Sequence, residues 1–318
     1  ATQGRSLWIM DDLTVLHQLY TGNTAENRLF IPKDSYRMDG RSRDKSKTSG
    51  TNHPNGVITY FNLKDFNKDD AVSLTYFDIK GDSIKSFSTK NKKDNKLEVK
   101  KGMNQFVWDM SYKGAELLDG MILWWASLDG PQAIPGTYKV SLKVNDKNYS
   151  QPFTIIADPR AESTLADMQK QFDFVKDVNN TMDNAHKSIK KIKKIKEQLS
   201  AFESQYKDSE TVKDLLEKAK KLKEDFTKIE EALYQTQNKS NQDPLNFPIR
   251  LTNKLGHLNA LISMGDFAPT DQDIAVKNEL TTQIKVQLDA FNKLVSDEIS
   301  AFNSAFNNKS LNYLFVED

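Results

Sequence analysis

Asp65-Phe66-Asn67-Lys68-Asp69-Asp70 begins like a calcium-binding loop. Such a loop needs glycine at its sixth position for the sharp turn and a bidentate glutamate at its twelfth. Asp70 and Tyr76 stand at those positions, so the stretch reads as a solvated β-turn without a metal. Cleavage of a glycosidic bond asks for two carboxylates about 5 Å or about 6.5–9.5 Å apart. The 44 Asp and Glu residues are too many for their presence to single out such a pair. Asp11 and Asp12 follow an expected strand, so their side chains diverge, and Asp109 after Trp108 reads as a turn cap. His17, His53, His186 and His257 are scattered singly, none at metal-ligand spacing from another. No G-x-S-x-G elbow occurs, and no glycine-rich phosphate loop precedes a helix. The residues therefore assign no catalytic group, no cofactor and no metal.

Two features remain as binding candidates. Trp124 and Trp125 end an expected strand, Met121–Trp125, where neighbouring side chains point to opposite faces. One indole enters a core and the other faces outward, to stack on a sugar ring or to be covered by a neighbouring domain. The second is Lys187–Lys196, with six lysines in ten residues. Ile189, Ile192 and Ile195 keep a helical seam through it and no aromatic side chain is interleaved, so it reads as the solvated face of a packed helix, not a nucleic-acid surface.

Stepping outward to composition, 45 Lys and Arg balance 44 Asp and Glu, so no global field selects a charged partner. Cysteine is absent, which excludes disulfides, zinc–thiolate sites and thiol nucleophiles. No apolar run approaches the ~20 residues needed to span a bilayer. The chain opens with a strand-like stretch lacking a preceding turn or a basic leader. This points to a C-terminal piece of a longer protein, with any export signal upstream.

Eleven of 13 glycines and all four tryptophans precede Pro159. In that half, short strands are expected at Val57–Leu63, Val72–Ile79, Ser83–Ser88, Gln105–Met110 and Met121–Trp125. A hairpin closes it from Pro135 to Ile156, with Tyr138, Val140, Leu142 and Val144 alternating with polar residues. Past Asp158-Pro159 the period becomes helical. Apolar residues at 165, 168, 172, 175, 178, 182, 185, 189, 192, 195, 199 and 202 predict one helix over Arg160–Lys207, started by Asp158. A second helix carries Val212 to Leu233, a third follows Phe247-Pro248, and a fourth begins at a Thr270/Asp273 capping box. The expectation is an immunoglobulin- or fibronectin-like antiparallel β-sandwich followed by an up-and-down four-helix bundle with a long helical hairpin. The expected divisions are a lead-in at 1–32, a flexible linker at 33–55, the sandwich at 56–157 and the bundle at 158–318, and the four helices can satisfy one another in a monomer.

Several local patterns resemble one known arrangement. Gly4-Arg5-Ser6-Leu7-Trp8-Ile9-Met10-Asp11-Asp12 is similar to the last strand of a sialidase-like (BNR-repeat, sortilin-like) β-propeller. Asn52-His53-Pro54-Asn55-Gly56-Val57-Ile58-Thr59-Tyr60 resembles the opening of the sandwich after such propellers. Gly102-Met103-Asn104-Gln105-Phe106-Val107-Trp108-Asp109-Met110 with Pro135-Gly136-Thr137-Tyr138 looks like the pair that also marks the module of flagellar hook-capping proteins. The helical half is similar to C-terminal extensions of large Bacteroidetes-type propeller proteins often labelled glycosyl hydrolases. The resemblance implies an exported protein (periplasm, cell surface or secreted), in which this region is a non-catalytic accessory to an upstream propeller of the same polypeptide. The alternative is a carbohydrate-binding module using Trp124 or Trp125, with a glycan or another protein as partner. The propeller's S-x-D-x-G-x-T-W box is absent from the sequence, so no family catalytic residue carries over.

Overall fold

The computed structural model describes residues 12–20, 26–38, 53–92 and 95–309. Residues 4–11 of the expected opening strand, and 39–52 of the expected linker, lie outside them. The chain is mixed α and β and divides into two compact units. The first holds residues up to Lys113, Gly130–Phe172 and Gly265–Ala268. The second holds Gly114–Asp129, Asp173–Met264 and the residues from Pro269 onward.

Among the described residues the first unit contains α1 (Thr14–Tyr20) and eight strands: β1 (Arg28–Leu29), β2 (Ser35–Arg37), β3 (Val57–Leu63), β4 (Val72–Phe77), β5 (Ser83–Ser88), β6 (Gly102–Trp108), β7 (Gly136–Val144) and β8 (Lys147–Ala157). They form a three-stranded sheet in the order β1-β3-β6 and a five-stranded sheet in the order β2-β8-β7-β4-β5. All pairs are antiparallel except β2 with β8. The alternation read on β7 holds except at Ser141: Tyr138, Val140, Leu142 and Val144 are buried and Lys139 and Lys143 exposed, while Ser141 is buried and its hydroxyl bonds Asn148. Asn145-Asp146 turns the hairpin with Asn145 at φ 51°, and its amide is fixed by the Ala71 N–H and the Asp70 carboxylate.

One apolar cluster draws on both sheets. Trp108 from β6 stacks on Tyr76 from β4 with ring centroids 4.5 Å apart, and the Tyr76 hydroxyl meets that of Thr59 on β3 at 2.8 Å. That enclosure pushes the Tyr76 phenol well above its ordinary range by desolvation. β2 falls inside the stretch expected to be linker, because its backbone has a ladder to join and because Arg37 is a hub. The buried guanidinium donates to Asp266 Oδ1 at 2.6 and 3.0 Å, to Gln171 Oε1 at 3.0 Å and to the carbonyls of Gln132 and Ala133.

The second unit is helical. α2 (Leu165–Tyr206), whose residues up to Phe172 belong to the first unit and whose remainder belongs to the second, is continuous for 42 residues, about 63 Å at 1.5 Å per residue. It starts later than Asp158-Pro159 suggests. Asp158 instead accepts from Arg160, which holds its carboxyl down at about 2. Thr164 and Asp167 exchange the capping bonds. α3 (Lys213–Leu233), α4 (Leu251–Ile262), α5 (Asp271–Lys293) and α6 (Ser300–Asn308) follow, with the Thr270/Asp273 capping box present. The expected last helix is interrupted by a π turn at Leu294–Ile299, with Phe291 before it and Phe302 after it both buried. α3 buries Leu215, Ala219, Leu222, Phe226, Ile229 and Leu233. No helix among the described residues is long and apolar enough to cross a membrane.

A helix-clamped loop as the candidate functional site

Between β6 and β7 the chain makes a 16-residue excursion, Gly114–Asp129, which joins the helical unit. The strand expected at Met121–Trp125 is not formed; the segment is irregular throughout. Its own backbone supplies few bonds: Ala115 N–H to the Leu128 carbonyl (2.8 Å) closes the neck, and Met121 N–H reaches Leu118. Leu118 and Met121 enter the helical core. An anchored loop whose ends meet must satisfy its remaining peptide groups from outside. Two helix faces do so.

On α2, Asn179, Asp183, His186 and Lys190 recur at spacings of four, three and four, one stripe of the helix. Asn179 Oδ1 accepts from Ala115 N–H, and its amide donates to the carbonyls of Asp129 and Val175. Asp183 accepts the Glu116 N–H at 2.7 Å. The Glu116 carbonyl accepts from His186 Nδ1, and Lys190 pairs with the Glu116 carboxylate. His186 is 1% exposed, and its Nε2 is enclosed without a hydrogen-bond partner. Burial pushes the imidazole pKa down, and Lys190 adds to that. The Glu116 carbonyl and the Asp183 and Glu116 carboxylates pull the other way, but burial dominates.

On α4, the partners fall on the tetrapeptide Trp124–Ser127. Asn253 Oδ1 accepts the Trp124 N–H at 2.6 Å and its amide donates to the Trp124 carbonyl at 2.8 Å. His257 Nδ1 donates to the Trp125 carbonyl at 2.7 Å. Ser127 N–H reaches the Gly256 carbonyl, and Asn259 donates to the carbonyls of Ser127 and Asp129. Gly256 permits the approach, since a Cβ there meets Ala126 Cβ at 3.0 Å. A mid-helix glycine costs about 1 kcal/mol relative to alanine. Asn253 and Asn259 are buried polar groups, and Trp125 sits at φ 50°, a left-handed conformation that bulky side chains rarely adopt. These costs converge on one outcome: Trp125 is 73% exposed while its backbone is fixed.

The two tryptophans are thus placed otherwise than strand geometry implies. Trp124 is half-buried and Trp125 exposed because the positive φ at Trp125 breaks the extended pleat. Sequence reasoning missed Asn179, Asn253, Gly256 and Asn259 as residues that hold the loop carrying them. The visible signal was asparagine and glycine on helix faces otherwise filled by leucine and valine.

The other candidates resolve into local structure. Asp70 accepts from Asn67 N–H, which holds its carboxyl below the usual range, and Asp65 pairs with Lys101. Among the described residues no group of three His, Asp or Glu side chains is placed to hold a metal ion. Asp109 accepts from Ser111 N–H. In the lysine run, Lys187 pairs with Asp183, Lys190 with Glu116 and Lys196 with Glu230, while Lys193 lies over the Tyr234 ring. No protein-family model matches the chain, and the search of curated proteins gave no match.

Proposed function

We propose that this chain is a non-catalytic accessory region of an exported, sialidase-like propeller protein. In this reading an immunoglobulin-like sandwich and an up-and-down helical bundle position the upstream propeller and offer surface to partners. The observation that supports it is the use made of buried polar side chains. Arg37, Asn179, His186, Asn253 and Asn259 bind backbone groups of other segments, which is scaffolding work.

One observation favours a second and narrower reading, a carbohydrate-binding module. Trp125 combines an exposed indole with a backbone carbonyl held by His257, and an exposed aromatic face suits stacking on the C–H face of a sugar ring. The test is a glycan-array screen of the chain, with hydrolysis assayed on each hit. Binding lost in Trp125→Ala and kept in Trp124→Ala supports the carbohydrate reading. Silence from a folded sample leaves the accessory reading, and turnover that survives repurification overturns the non-catalytic one.

A further inference from the structure

We propose that His257 is a second ligand-contacting residue beside Trp125, accepting a hydrogen bond from a sugar hydroxyl through Nε2; this rests on the carbohydrate reading of Trp125. The Trp125 carbonyl can only accept, so the 2.7 Å contact puts the proton on Nδ1. In the neutral imidazole Nε2 is then a lone-pair acceptor. That atom has no hydrogen-bond partner among the described residues and is not among the enclosed polar atoms, in contrast to His186 Nε2. The ring is bonded to the carbonyl of Trp125, the residue that carries the exposed indole. Leu261, one helical turn further along the same face of α4, is 47% exposed and extends the strip with apolar surface.

An indole face beside a lone acceptor is complementary to a ligand with an apolar face and a hydroxyl donor at its edge. A neutral pyranose has both. A carboxylate or a carbonyl offers Nε2 no proton and is disfavoured at this atom.

The experiment uses the full chain and an array of neutral oligosaccharides, with calorimetry on the strongest hit. His257→Asn retains an N–H near the Nδ1 position, so it keeps the bond to the Trp125 carbonyl and removes only Nε2. The expected result is abolition of binding in Trp125→Ala and about a tenfold weakening in His257→Asn, with an unchanged unfolding midpoint. Parent-like affinity in His257→Asn, with binding still lost in Trp125→Ala, overturns the role of His257 and leaves the Trp125 reading intact. No binding by the folded parent overturns both. Should His257→Asn fold poorly, the imidazole ¹⁵N resonances of the parent decide: Nε2 is expected to shift on titration with the hit, and an unmoved Nε2 overturns the proposal.

Discussion

The two ends of the Gly114–Asp129 loop are held by the same residue types to opposite effect. At the α2 end an asparagine and a histidine bind the loop backbone, and the histidine is sealed in. At the α4 end an asparagine and a histidine bind it again, at the half-buried Trp124 and at Trp125, whose side chain stands in solvent. The two ends also differ in redundancy. Ala115 N–H has both Asn179 and Leu128 as acceptors, and the Asp129 carbonyl has both Asn179 and Asn259 as donors. Both polar groups of the Trp124 peptide are met by Asn253 alone among the described residues. Asn179 is therefore a redundant anchor, and Asn253 a single-point support for the residue that precedes the displayed indole.

The largest effect follows from that asymmetry. Asn253→Ala leaves a part-buried N–H and a part-buried C=O of Trp124 unmatched, each such loss being worth about 1–3 kcal/mol. It is expected to lower stability by about 3 kcal/mol, read by urea unfolding. Asn179→Ala, whose loop partners each keep a second bond, is expected to lose about 1 kcal/mol. Equal losses at the two positions remove the distinction between anchor and support.

How much of this was legible in the sequence depends on the range of the interaction. The β7–β8 hairpin and the α2 seam announce themselves because their periods are local: Tyr138 to Val144 alternate, and residues from Leu165 to Phe202 step by three or four. Met121-Ile122-Leu123-Trp124-Trp125 misled because an apolar run has strand composition whatever its partner. Its fate is set by Asn253 and His257, 129 and 132 residues away in sequence. No period records a pairing at that separation. The π turn is hidden for a related reason, since 291 to 302 fits a continuous helix as well as one widened by a turn.

Burial of His186 makes stability depend on pH. His186 titrates lower in the folded chain than its ordinary value near 6.5, so the unfolded chain takes up the proton first. Stability is therefore full above about pH 6.5 and declines as pH falls toward the lower folded value. Asp183 and the Glu116 carboxylate soften the decline, and Lys190 steepens it. The lowered carboxylates Asp70, Asp158 and Asp167 act in the same direction but only below about pH 4. Urea midpoints measured from pH 7.5 to 5 are expected to fall in the parent and to stay flat in His186→Asn. That variant keeps a donor to the Glu116 carbonyl and cannot titrate. An unchanged slope assigns the acid sensitivity elsewhere.

The smallest effect bears most directly on why the α4 end exists. An L-residue held in the left-handed region costs about 1–2 kcal/mol, whereas glycine enters it freely at an unfolded-state entropy penalty of about 0.5–1 kcal/mol. At φ 50° the balance favours glycine. Trp125→Gly is thus expected to be more stable than Trp125→Ala by about 0.5–1 kcal/mol, measured by paired urea titrations. A side chain 73% exposed contributes little packing of its own, so Trp125→Gly should also equal or exceed the parent. If it does, the tryptophan is retained at a position where the fold prefers glycine, and stability cannot be what keeps it there. If Trp125→Gly is instead clearly less stable than the parent, the indole contributes to packing, and the α4 end becomes a second anchor like the first.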